Sequence, residues 1–120
     1  MEALVQMKHS TGTPTQAEAD RMARVAALGC VACSAWGHST PAQVHHLLSG
    51  NKRRGHLYTI PLCPWHHVGA IPTGSARRLM EGLLGPSLAL QSKRFHERFG
   101  TDEELLAEVN RRLAVGRGKP

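Results

Sequence analysis

The sequence predicts a small α+β domain, a zinc-supported ββα core with helices flanking it. Three observations predict this class. Cys30-Val31-Ala32-Cys33 and Cys63-Pro64-Trp65-His66 are two half-sites with the spacing at which a pair of side chains closes on one tetrahedral ion. Between them, the largely apolar runs Ala42 to Leu48 and Leu57 to Leu62 flank a glycine-bounded turn, as the strands of a hairpin do. Before and after them, apolar residues recur at helical spacing.

The length of 120 residues fits one domain, at which size roughly two-thirds of the unfolded surface is buried and a structural metal contributes much of the stability. The net charge of +6 favours an anionic partner such as nucleic acid. Aromatic side chains are few (Trp36, Tyr58, Trp65, Phe95, Phe99), which excludes a broad platform for stacking bases. Three cysteines, an odd number, fit three thiolates on a metal better than a disulfide framework. With no secretory or transmembrane segment, they point to a reducing interior and no membrane partner. Four of the eight histidines stand in adjacent pairs, His45-His46 and His66-His67, the residue type used for metal and proton chemistry near neutral pH. No nucleotide-cradling glycine loop, H-E-x-x-H protease motif or deaminase signature is present.

In chain order, residues 1–14 read as a flexible leader, 15–115 as the domain and 116–120 as a frayed tail. Thr15-Gln16-Ala17-Glu18 is a capping box opening a helix that Gly29 stops. The knuckle Cys30 to Cys33 and a loop through Pro41 follow. The hairpin comes next, its turn Ser49 to Gly55 carrying Lys52, Arg53 and Arg54, which are either a solvated loop or contacts to backbone phosphates. Pro61 has no N–H for a ladder, so the returning strand should end there or lie at an edge. A short helix is expected over Trp65 to Val68, then helices over Ser75 to Leu84, Ser87 to Arg98 and, after the capping box Thr101 to Glu104, to about Leu113. His96 lies among helix-core residues and suits a surface or capping role.

The quartet Cys30, Cys33, Cys63 and His66 makes a complete Cys3His structural zinc site. His67 is left over and follows a fixed ligand directly. Residues His45 and His46 sit on the hairpin that the zinc would clamp. Consecutive strand residues point to opposite faces, so one of this pair is better cast as a ligand and the other as a base. Together, His45, His46 and His67 suggest a second, catalytic centre. There a divalent ion would stabilise developing phosphoryl charge while a histidine takes a proton from water.

Val44-His45-His46-Leu47 resembles the first motif of the HNH, or ββα-metal, nucleases, and Ile60 to His67 resembles their last. The resemblance implies a treble-clef-like core, with His45 and His67 binding the catalytic ion and His46 as general base. It places His56 at the middle position usually held by Asn or Asp, with Asn51 as the other residue able to fill it. The fuller pattern, from Pro41 to Leu47, from Thr59 to His67 and from Arg94 to Gly100, is similar to phage recombination enhancement nucleases. That resemblance implies a DNA endonuclease acting on DNA coated by a host recombinase (RecA) filament, requiring magnesium or another divalent ion, in the cytoplasm of a bacterial host. The alternative from another class is a zinc-stabilised DNA-binding or adaptor module without catalysis.

Overall fold

The computed structural model describes residues 12–117, with the side chains of residues 116 and 117 left aside. Most of the expected leader and the end of the expected tail lie outside the described residues. The elements in order are α1 (Gln16–Ala27), α2 (Val31–Ser34), β1 (Gln43–His46), β2 (Leu48–Ser49), β3 (Lys52–Arg53), β4 (Thr59–Leu62), α3 (Pro64–Val68), α4 (Arg77–Leu84), α5 (Ser92–Phe99) and α6 (Asp102–Arg117). No described helix is long and apolar enough to cross a membrane.

Local chemistry sets the ends of these helices. Thr15 caps α1 reciprocally: Glu18 N–H donates to its hydroxyl at 3.1 Å, and Thr15 N–H donates to the Glu18 carboxylate at 2.8 Å. The same box opens α6, where Thr101 and Glu104 exchange bonds of 2.9 and 3.1 Å. Pro64 occupies the first turn of α3, where a missing N–H is harmless, and Gly69 ends that helix in the left-handed region at φ 72°.

Strand β4 is the hub. All four of its residues are buried, and α1, α2, α3 and α6 pack against it. It pairs antiparallel with β1 in the register Gln43↔Leu62, Val44↔Pro61, His45↔Ile60 and His46↔Thr59. Leu47 N–H bonds the Tyr58 carbonyl at 2.9 Å. Alternation then makes Val44↔Pro61 a pair without ladder bonds, so Pro61 sits inside the strand without leaving an acceptor unmet. Among the described residues the sheet has two strands, so within them the proline lies at an edge. Val25, Leu47, Ile60, Leu62, Trp65, Phe95, Leu105 and Val109 fill the core around β4.

Three boundaries differ from the sequence reading. The expected single hairpin is divided at Leu47, whose fully buried side chain turns into the core, and the loop beyond folds into the small β2–β3 ladder. Helix α5 begins at Ser92 rather than Ser87, because Ser87 and Leu88 form the turn over α3, with Leu88 N–H on the His66 carbonyl at 3.0 Å. Helix α6 continues to Arg117, its later turns held by Glu108 bridging Arg111 and Arg112 and by Arg24 donating to the Leu113 carbonyl at 2.8 Å.

Candidate metal centre and histidine site

The one-turn helix α2 is built on its own ligand. Cys30 stands at the N-cap, and its sulfur accepts the Cys33 N–H at 3.3 Å, which brings the two sulfurs of the knuckle to one side. Cys63 occupies the equivalent cap of α3, and His66 follows one turn later. The four ligand atoms lie within 4.8 Å of one another, and all four residues are buried.

The distances decide what such a cage can hold. With zinc–sulfur bonds of about 2.3 Å and zinc–nitrogen bonds of about 2.0–2.1 Å, a regular tetrahedron has S···S edges of about 3.8 Å and S···N edges of about 3.5 Å. The Cys33 and Cys63 sulfurs are 3.7 Å apart, and His66 Nδ1 stands 3.5, 3.6 and 3.3 Å from the sulfurs of Cys30, Cys33 and Cys63. The quartet can hold a zinc ion. His66 Nε2–H donates to the Leu84 carbonyl at 2.7 Å, which turns the Nδ1 lone pair to the sulfurs and orients the ring from behind. Phe95 and Phe99 pack on that ring, with centroids at 6.0 and 5.2 Å, and close the site to water.

The electrostatics favour positive charge within the cage. The neighbouring sulfurs of Cys33 and Cys63 hold the Cys30 thiol well below its ordinary range, while the sulfurs of Cys30 and Cys63 push the Cys33 thiol up. Burial works against a charged His66, but hydrogen bonding to Cys30 and Cys63 outweighs it and raises the ring to about 9. Sulfurs this close and this buried do not share several negative charges without a cation among them.

Four of the other described histidines form two pairs. His45 meets His67 of α3 edge to face, with ring centroids 5.1 Å apart. His46 meets His56 in the same manner at 5.1 Å, its Nε2 standing 3.0 Å from His56 Nδ1. Burial, then the His67 charge, lowers His45 to about 4 against a pull upward from Asp102. Burial lowers His67 as well, and burial followed by Arg53 lowers His46. These three rings are therefore neutral near pH 7, the form in which imidazole is a ligand or a base. His67 Nδ1–H donates to Gln43 Oε1 at 2.8 Å, which leaves its Nε2 lone pair free. Among the described residues, the Cys3His quartet is the single cluster of three or more ligands close enough for an ion. The His45–His67 pair would need water or a substrate oxygen to complete a coordination shell.

The profile of one family, described as recombination enhancement, RecA-dependent nuclease, matches residues 14–114. The chain belongs to that family. No curated protein matches it.

In this RecA-dependent nuclease family member, the three cations of the β2–β3 hairpin have different surroundings. Lys52 and Arg53 are exposed at its tip. Arg54 folds back, donating to the Leu48 carbonyl at 3.0 Å and to Glu103 at 2.9 Å, and so fastens the hairpin to the start of α6. Asn51 is exposed in the turn, whereas His56 is 4% exposed beside His46. His96 bonds the Ser92 carbonyl at 3.0 Å and Asp102 at 2.9 Å, a corner between α5 and α6.

Sequence reasoning missed Gln43, Asp102 and the carbonyls of Leu84 and Gly12. Gln43 was within reach, since it lies two residues before His45 on the same strand face. The others carry no local signal, because they meet their partners only across the folded chain.

Proposed function

We propose that the protein is a metal-dependent DNA endonuclease of the HNH type, hydrolysing phosphodiester bonds on recombinase-coated DNA. The observation that carries this reading is the placement of His67. Its ring meets that of His45 edge to face, with centroids 5.1 Å apart, so α3 lies against the strand that carries the adjacent pair, beside a cage able to hold a structural zinc.

Cys30, Cys33, Cys63 and His66 hold that zinc and fix where α3 begins. His45 and His67, neutral and facing one another, hold a divalent ion such as magnesium. The ion supplies electrostatic stabilisation of charge developing on the phosphoryl and leaving oxygens. His46, next to His45 in β1, takes the proton from the attacking water. His56 supports it as the middle member of the motif. Lys52 and Arg53 at the hairpin tip meet backbone phosphates, a contact expected to weaken with salt.

The test is His46→Ala in the full chain, with DNA cleavage assayed with magnesium on bare and RecA-coated DNA. Cleavage is expected to fall by about 10²–10⁴-fold with zinc content and DNA affinity retained. Cleavage at the wild-type rate refutes the base assignment. Absence of cleavage by the wild type on either substrate favours a zinc-stabilised DNA-binding adaptor.

A further inference from the structure

The His46–His56 contact has a direction, and a third group sets it. His56 Nε2 stands 2.7 Å from the Gly12 carbonyl oxygen, which can only accept. His56 therefore carries its proton on Nε2 and, as a neutral ring, presents a lone pair at Nδ1. That atom faces His46 Nε2 at 3.0 Å. The hydrogen bond is then donated by His46, whose own proton is committed to Nε2 and whose Nδ1 is left bare.

We propose that His56 is a positioning residue: anchored on Gly12, it holds His46 as the Nε2–H tautomer, with the Nδ1 lone pair available to water. This rests on the nuclease reading and names how its base is oriented. It also brings Gly12 into the site, an acceptor 44 residues from His56 in sequence.

The frame around the relay is independently fixed. The Thr59 hydroxyl, opposite His46 in the β1–β4 register, donates to the His56 carbonyl at 3.4 Å and accepts from Arg21 of α1 at 2.7 Å. Arg21 continues to Asn110 of α6 at 2.6 Å. Backbone and ring of His56 are thus held by different partners, so truncating the ring removes the relay while the Thr59 contact stays. His56 thus faces a carbonyl through one ring nitrogen and an imidazole through the other. An imidazolium at His56 would donate in both directions and force the opposite tautomer on His46.

Two measurements on the full-length, zinc-loaded protein decide it. Long-range ¹H–¹⁵N correlation of the histidine rings reads the His46 tautomer directly, with Nε2–H expected and Nδ1–H overturning the proposal. The second is kinetic. His56→Leu removes the acceptor and is expected to lower kcat by about 10–100-fold, the usual effect of losing an orienting partner, with KM for DNA and zinc content unchanged. His56→Asn puts an amide oxygen close to where Nδ1 stands and is expected to recover most of that loss. Wild-type kcat in His56→Leu, or His56→Asn as impaired as His56→Leu, overturns the proposal. Should His56→Leu fail to fold, the wild-type tautomer and His56→Asn still decide. If His46→Ala abolishes cleavage while His56→Leu does not, the relay alone fails. If His46→Ala cleaves normally, the base assignment fails with it.

Discussion

Replacing Cys30 by serine separates the metal from everything else that Cys30 does. The side chain is 2% exposed and caps α2 by accepting the Cys33 N–H at 3.3 Å. Serine is a good cap at that position, so the helix start survives the change. What disappears is one of the four donors able to hold a zinc ion, because a buried hydroxyl does not ionise as a thiol does. Structural zinc in small domains is worth about 10–16 kcal/mol at neutral pH. A chain of 120 residues has a total stability of about 6–18 kcal/mol, so the two quantities are of one size. Losing a quarter of the zinc contribution removes about 2.5–4 kcal/mol, which at about 3–5 °C per kcal/mol lowers Tm by about 8–20 °C. The assay is thermal unfolding by circular dichroism, with zinc measured by mass spectrometry on the same samples. A Cys30→Ser protein that melts within about 3 °C of wild type, or a wild type that purifies without zinc and is indifferent to chelators, refutes the quartet as a structural site.

Three further outcomes follow from the geometry. His45, His46 and His67 are all lowered, chiefly by burial, so the unfolded chain takes up protons before the folded one as pH falls. Stability should therefore fall from about pH 6.5, where unfolded histidines titrate, toward the His45 value of about 4. The Tm profile of His45→Gln should be flatter across that window, and an equally steep profile refutes the assignment. Arg53→Ala should lower the salt slope of DNA binding by about 1, whereas Arg54→Ala should leave it unchanged and lower stability by about 0.2–1 kcal/mol; equal slopes for the two variants would contradict the division between hairpin tip and latch. Gly69→Ala places a Cβ 2.8 Å from Leu90 Cγ at a residue with φ +72°. It should cost at least about 1–2 kcal/mol in denaturant titration and loosen the helix carrying His66 and His67.

Half of the site was legible because its signals are local. A ligand pair at C-x2-C spacing is fixed by one turn of backbone, and Cys30–Cys33 and Cys63–His66 each span the first turn of a helix that opens on a cysteine. The opposed directions of His45 and His46 follow from strand alternation alone. The capping boxes at Thr15 and Thr101 are equally local, and they placed the starts of α1 and α6. The ends were less legible. Ser87 suits a helix N-cap by residue type, yet the turn it forms is dictated by the His66 carbonyl above it. Similarly, Arg54 cannot be told from Arg53 within Lys52-Arg53-Arg54, because its partners, Asp102 and Glu103, lie about fifty residues on.

By itself, the sequence determined the Cys3His donor set, the α+β class and the family to which the chain belongs. Spacing of three or four residues constrains atoms through a single backbone turn, and that constraint needs no other part of the molecule. Only the tertiary structure decided which histidine meets which, and which ring nitrogen keeps the proton. Those outcomes depend on carbonyls at Gly12 and Leu84 and on an amide at Gln43. A backbone carbonyl has the same chemistry at every residue, so its choice of partner is written only in how the chain packs.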